Sequence, residues 1–281
     1  MVTGAAGMLG RDVVLAAANA GHEVVGYGHT ELDVTDAEAV EDRAEWERPA
    51  VVINCAAWTD VDGAEESEDS AMAANGTGAG NVAAAGAAIG AKVVYASSDY
   101  VFDGSADTPY VETDQPGPIS AYGRTKLAGE EATVAANTRS FVVRSSWLFG
   151  IGGGNFVETM LRLAADHGEV LVVRDQVGSP TYTWHLAYGI LRLIEGGAFG
   201  IHHMAAQGQV SWYDFARSVL AASGQDPDRV KPISTAELDP PRPAPRPANS
   251  VLENAALAAA GIELLGPYEA ALDRVVEQLR G

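Results

Sequence analysis

A tyrosine and a lysine four positions apart, Tyr122 and Lys126, stand in the run Ser-Ala-Tyr-Gly-Arg-Thr-Lys at residues 120–126. Pro116 and Pro118 break the chain before it, and Ser120 is a good N-cap, so the spacing predicts a helix opening here. Residues i and i+4 project from one helix face, a turn apart. An ammonium beside a phenol favours the phenolate and lowers the tyrosine pKa, which makes Tyr122 a candidate proton donor near neutral pH. On an ordinary amphipathic helix the same pair would be two surface residues. The motif alone does not separate these readings.

Other candidates lie upstream. An apolar run at residues 92–96 reads as a strand that ends in Ser97-Ser98-Asp99-Tyr100. A hydroxyl at Ser98 can reach a carbonyl held against the Tyr122 phenol, with Asp99 beside it as a further substrate contact; turn capping is the alternative for a serine here. At the start of the chain, Val2-Thr3 leads into Gly4-Ala-Ala-Gly7-Met8-Leu9-Gly10 and then a helix-forming run. Strand, glycine turn and helix are the setting in which backbone approaches a pyrophosphate and a helix N-terminus offers amide donors. The spacing is G-x-x-G-x-x-G, and glycines of this kind also occur in plain turns. Only two or three residues precede the loop, against about five in a usual central strand, which suggests a true start upstream of the recorded one.

The elements that must position these groups follow in alternation. Residues 22–27 read as a second strand, 36–47 as a helix, and 49–54 as a continuous apolar strand of the kind buried on both faces of a parallel sheet. That third strand delivers Cys55-Ala56-Ala57-Trp58, whose small residues let a cofactor lie against the backbone. Cys55 is expected to be packing rather than a nucleophile, since no cation stands near it in sequence. An Ala- and Gly-rich helix spans 77–89, and a fifth strand spans 140–145, followed by Ser146-Trp147. Later elements are a helix from about Asn155, a strand at 170–173, helices at 183–194 and 211–222, and a closing helix at 268–279. Residues 240–247 read as extended and polyproline-like. Adjacent His202 and His203 on a strand point to opposite sides, which argues against a paired metal site.

The pattern predicts an α/β fold: a doubly wound parallel sheet over residues 1–150, with a smaller C-terminal α/β substrate lobe at 151–281, some of whose segments return to the first domain. No internal repeat is visible. After the second strand no acid appears until Glu31, so strict NAD preference is weakened, and His29, Thr30 and Arg11 could face the extra phosphate of NADP. Asp33 could bond an adenine or simply hold its own turn.

Across 281 residues, 38 acidic side chains against 18 basic ones leave a net charge of −20. Such a chain is repelled by nucleic-acid backbones and anionic membrane surfaces, so neither is an expected partner. Only Lys92, Lys126 and Lys231 are lysines. Adaptation to a salt-rich cytoplasm, where screening relieves self-repulsion, is one reading of this balance; an acidic protein from a GC-rich genome is the other. The single cysteine excludes an internal disulfide framework, and no leader or membrane-length apolar run is present, so a cytoplasmic protein is expected.

TGAAGMLG, NCAAWTDVD, SSDYVFDG, Tyr122-x-x-x-Lys126, SSW, Asn155-Phe156, DQVGSPT at residues 175–181 and RPANS at 246–250 occur in one order, essentially end to end. Together they resemble the extended short-chain dehydrogenase/reductases, and within them the dTDP-4-dehydrorhamnose reductase family. The resemblance implies a Rossmann domain and reduction of the 4-keto group of a nucleotide-linked 6-deoxysugar by NADPH or NADH. It implies Tyr122 as proton donor, Lys126 as the residue that holds the nicotinamide ribose and lowers the Tyr122 pKa, and Ser98 as third member of the trio. Gly4, Gly7, Met8, Leu9 and Gly10 match the pyrophosphate loop, Asp33 and Val34 the adenine contact, and Ala56, Ala57 and Trp58 the floor under the nicotinamide ribose. Trp147 matches an aromatic beside the sugar, with Ser98 and Asp99 near it, and Arg246 could meet substrate phosphates. Some members dimerise through magnesium held by glutamates; at most Asp12 fits that pattern, so no metal is expected, and the chain is expected to be a monomer or homodimer. Two alternatives stand: a reductase or epimerase of another nucleotide sugar, and a non-catalytic regulatory subunit that keeps the NADP pocket.

Overall fold

The structure, a computed structural model, describes residues 1–196 and 198–280. Its first half alternates strand and helix: β1 (Val2–Thr3), α1 (Met8–Asn19), β2 (Gly26–Tyr27), α2 (Ala37–Glu47) and β3 (Val51–Asn54). Next come α3 (Val61–Glu66), α4 (Glu68–Met72), a π-helical turn at Ala73–Thr77 and α5 (Gly78–Ala88). Then follow β4 (Lys92–Ser98), α6 (Ala121–Ala136) and β5 (Ser140–Ser145). The second half holds β6 (Leu148–Phe149), α7 (Phe156–Asp166), β7 (Val170–Val173), β8 (Val177–Gly178), β9 (Thr181–Tyr182), α8 (Thr183–Gly196) and β10 (Gly200–His203). It ends with β11 (Val210–Ser211), α9 (Trp212–Ala222), β12 (Val230–Ile233), α10 (Ala255–Ala259) and α11 (Glu269–Arg280).

Among the described residues six strands form one parallel sheet in the order β10-β5-β4-β3-β1-β2. The strand order reverses between β1 and β3, and open α/β sheets bind ligands in the crevice at such a switch point. Helices cover both faces. On one, Val13, Val94, Phe141, Ile190 and Met204 pack α1 and α8 against the sheet. On the other, Val40, Val52, Val82 and Val93 do the same for α2 and α5. The parallel topology with helices on both faces is the doubly wound class expected from the alternation. Strand β10 extends the sheet beyond β5, so residues from both halves of the chain build it.

A separate cluster of Phe149, Val157, Phe215, Val219, Leu272 and Val275 holds α7, α9 and α11 together. Around it lie three two-stranded sheets, β12 with β7, β11 with β8 and β6 with β9.

Two local expectations are corrected. The second strand was expected over residues 22–27, but only Gly26 and Tyr27 pair, because β1 offers them just Val2 and Thr3. The helix expected over 77–89 is the last part of a longer helical stretch from Val61, interrupted at Ser67. No helix among the described residues is long and apolar enough to cross a membrane.

Candidate active site

The crevice is built first from backbone. Gly4 has a φ of +66°, and a Cβ there would lie 2.5 Å from the Ala56 nitrogen, so the loop after β1 packs directly on the chain leaving β3. A Cβ on Gly10 would come within 2.2 Å of the Gly4 carbonyl oxygen, which closes the first turn of α1 onto the loop. Gly7 caps α1 without a side-chain acceptor for its first amides. Such a helix end, behind a loop in which Gly4 and Gly10 leave no room for a Cβ, fits an anionic pyrophosphate. Leu9 turns its side chain into the core, which leaves its backbone for this role. Met8 faces the glycine loop at 150–154, where Asn155 donates to the carbonyls of Gly150 and Gly153 at 3.0 and 2.9 Å.

The chain leaving β3 is clamped by asparagines. Asn54 accepts from Thr3 Oγ1 at 2.7 Å and from the Ala56 N–H at 3.0 Å. Asn75, on the π-helical turn, accepts from the Trp58 N–H at 2.8 Å and donates to the Trp58 carbonyl. Its amide also reaches Thr125, the residue before Lys126, at 3.0 Å. Asn75 thus ties Trp58, on the chain leaving β3, to α6. Sequence reading missed it, because its only mark there is an asparagine in an Ala-rich run, and its burial at 0% exposure appears only in the fold. Asp33 accepts from the Thr35 amide and hydroxyl, bonds that hold its carboxyl below the usual range, and Val34 is buried beside it.

Ser98, Asp99, Tyr122 and Lys126 come together where β4 ends and α6 begins. Ser120 caps α6 as expected, accepting from the Gly123 N–H, while Glu65 of α3 accepts from the Ala121 N–H at 2.7 Å. A Cβ on Gly123 would come 2.2 Å from the Tyr100 carbonyl oxygen, so a glycine is needed where α6 presses on the turn after β4. The Tyr122 ring meets Tyr100 edge-on at 5.5 Å. Ser98 Oγ donates to Asp99 Oδ1 at 2.9 Å and accepts from the Tyr100 N–H. Burial pushes the Asp99 carboxyl up to about 6 against the pull of the Ser250 and Ser98 hydroxyls.

The expected lowering of the Tyr122 pKa is reversed in this structure. Burial pushes the phenol up to about 12, the Ser98 hydroxyl opposes this, and the Asp99 carboxylate adds to it. Lys126 does not offset the rise because its ammonium is turned elsewhere: Nζ donates to the Ala96 carbonyl at 2.7 Å and sits 4.2 Å over the Tyr95 ring. At 2 % exposure, burial brings Lys126 itself down to about 7. Tyr122 is therefore the protonated partner at neutral pH. The fold does bring a cation near Cys55, the same Lys126, yet burial holds the thiol up at about 12 and leaves it unreactive.

Two substrate candidates sit differently from each other. Trp147 lies just past β5, whose Ser145 pairs in register with Ser98. Its backbone is left-handed, with φ of +47°, and its ring stacks on Trp212 at 3.4 Å. A Cβ on Gly178 would meet that ring at 2.3 Å, which accounts for the glycine in DQVGSPT. Arg246 was expected to meet phosphates, but its fork is engaged by Asp62 of α3 at 2.6 and 2.9 Å. The pair fastens the proline-rich segment over the site, a partner 184 residues away that sequence spacing could not reveal.

Asp12, the one residue set against a metal pattern, has its carboxyl raised by burial, a rise that the nearby Thr183 hydroxyl opposes. Among the described residues no three His, Cys, Asp or Glu side chains are grouped to hold a metal ion.

The family model described as RmlD substrate binding domain matches residues 1–280. The chain belongs to that family. It is similar to the dTDP-4-dehydrorhamnose reductase of Mycolicibacterium smegmatis, 45% identical over 284 residues, covering 100% of this chain and 86% of the relative. A crystal structure of a dTDP-4-dehydrorhamnose reductase from Clostridium acetobutylicum superposes with a TM-score of 0.96 at 41% identity, over 100% of this chain and 99% of that one. The Bacillus anthracis reductase, solved in complex with NADP, superposes with a TM-score of 0.94 at 36% identity, covering 99% and 98%. Membership extends across the sheet and the C-terminal lobe alike.

Proposed function

We propose that this chain is an NAD(P)H-dependent reductase of the 4-keto group of a nucleotide-linked 6-deoxysugar, converting dTDP-4-dehydrorhamnose to dTDP-rhamnose. The observation that carries the reading is the assembly of Ser98, Tyr122 and Lys126 beside a crevice whose glycine loop fits a dinucleotide. A reduced nicotinamide held there supplies hydride to the carbonyl carbon. Tyr122, protonated at neutral pH, gives its proton to the carbonyl oxygen, and Ser98 bonds that oxygen as its charge develops. Lys126 would hold the nicotinamide ribose once its ammonium turns from the Ala96 carbonyl, to which it donates in this structure. Asp99 sets the Ser98 hydroxyl, and Trp147 offers a rigid face to the sugar ring.

The test is turnover of the dTDP-linked 4-keto sugar with NADH and NADPH in turn, followed by loss of the reduced cofactor's absorbance. Turnover supports the reading, and competition with other nucleotide sugars then ranks substrates. Cofactor binding without turnover of any 4-keto sugar would leave the regulatory-subunit alternative in its place.

Cofactor choice turns on Glu31. The turn after β2 returns its carboxylate to the strand end, where Oε2 accepts from the Gly28 N–H at 2.8 Å. An acid at this point suits ribose hydroxyls and repels a phosphate. NADPH is tolerated alongside NADH, and Glu31→Gln shifts the ratio of kcat/KM values toward NADPH by about tenfold, the scale of one repulsive charge contact. An unchanged ratio would remove Glu31 from cofactor selection.

The charge of −20 suits a salt-rich medium. Screening then relieves repulsion in the folded state, so the melting temperature rises from dilute buffer to molar KCl. Equal melting in both would dismiss salt adaptation.

A further inference from the structure

Beneath the catalytic trio lies a buried charge cluster to which the reaction assigns no part. Glu130 stands one turn beyond Lys126 on α6, so Tyr122, Lys126 and Glu130 rise along one helix face. Its side chain is enclosed, with the residue 2 % exposed. The carboxylate accepts from Arg144 of β5 twice, at 2.9 Å from Nε and 2.7 Å from Nη2. It also accepts from the Ser97 hydroxyl, and Ser97 is the residue immediately before Ser98. Arg144 in turn lies over Phe102 and 3.5 Å from His203 Nε2 on β10. One carboxylate thus joins the helix that carries Tyr122 and Lys126 to the strand that carries Ser98.

A buried ion pair costs more desolvation than an apolar pair of the same volume, so stability alone gives little reason for one here. Function gives a better one. Among the described residues Lys126 has a single hydrogen bond, to the Ala96 carbonyl, and no carboxylate touches it. The groups that face it are Tyr95 from β4, Cys55 beyond β3, and Tyr122 and Glu130 on its own helix. Burial holds the Tyr95 phenol and the Cys55 thiol neutral, which leaves Glu130 as the formal negative charge among them. Beyond Glu130 stand Arg144 and, past it, His203 with Glu112 at its backbone amide; burial lowers the His203 pKa and keeps that ring neutral.

We infer that Glu130 is a positioning residue for the proposed reduction: it favours the ammonium form of Lys126 and, through Ser97 and Arg144, keeps Ser98 set opposite Tyr122. The inference rests on the catalytic reading of Lys126, but its decisive measurement does not need turnover.

With only three lysines in the chain, a protein labelled at lysine Cε gives three signals, and Lys92→Arg and Lys231→Arg variants identify the one from Lys126. Glu130→Gln alone would strand the Arg144 charge and risks misfolding. Glu130→Gln with Arg144→Met removes both charges and keeps an acceptor for Ser97. In that double variant the Lys126 signal titrates lower than in the parent, because the carboxylate one turn away acts on the ammonium more strongly than the guanidinium beyond it. The alkaline limb of the kcat profile moves down with it, and Glu130→Asp with Arg144 in place keeps both near the parent. A Lys126 titration that stays where it was in a folded double variant would overturn the inference. If the titration moves while the parent turns over no 4-keto sugar, the proposed activity fails and the electrostatic coupling stands.

Discussion

Replacing Tyr122 with Phe lowers kcat by about 10²–10⁴-fold, the usual worth of a positioned general acid, and leaves cofactor affinity nearly unchanged. The phenol is the group that holds a proton at neutral pH beside Ser98, since its pKa is pushed up to about 12. Phenylalanine keeps the edge-on contact with Tyr100 and removes only the hydroxyl. The carbonyl oxygen then gains negative charge with no proton to receive. Lys126 cannot take over, because its ammonium is directed to the Ala96 carbonyl. The measurement is steady-state kinetics together with a cofactor titration by fluorescence. Turnover within about threefold of the parent, far below the effect of a lost general acid, would withdraw Tyr122 as the donor.

The second large effect is expected at Gly4. An alanine there carries two penalties. The left-handed backbone at φ +66° costs an L-residue roughly 1–2 kcal/mol. The new Cβ also stands 2.5–2.7 Å from the backbone of Cys55 and Ala56, which has no side-chain freedom with which to yield. Relief requires β1 to move away from β3 at the very switch point where the dinucleotide fits. Gly4→Ala therefore lowers the melting temperature by at least about 5 °C and weakens dinucleotide binding by at least about tenfold, one lost contact's worth. Gly21→Ala is the control. It shares the left-handed backbone, at φ +84°, but its Cβ would meet nothing within 4 Å. That variant should lose some stability and keep its cofactor. Equal dinucleotide affinity in Gly4→Ala and Gly21→Ala would show that the loop after β1 does not shape the site.

The expectations that held were local ones. The helix opening at Ser120, the helix beginning after Asn155, the strands at 140–145 and 170–173, and the glycine turn after β1 each follow from a few neighbouring residues. Capping, alternation and apolar runs act over one to three turns of chain, so a sequence displays them directly. The errors were of longer reach. The length of β2 depended on what β1 could offer it, and the helices from Val61 to Met72 went unread although Asp60 caps the first of them.

What the sequence by itself determined is the alternating architecture, the glycine loop, and the presence of a serine, a tyrosine and a lysine at spacings that suit carbonyl reduction. What only the tertiary structure decided is the electrostatic state of those groups and the company they keep. Arg246 is bound to Asp62, Asn75 links Trp58 to α6, Glu130 pairs with Arg144, and the Tyr122 pKa rises where spacing suggested a fall. Each of these depends on burial and on partners distant in sequence. Desolvation and Coulomb energies follow distances through folded space, which residue spacing does not encode.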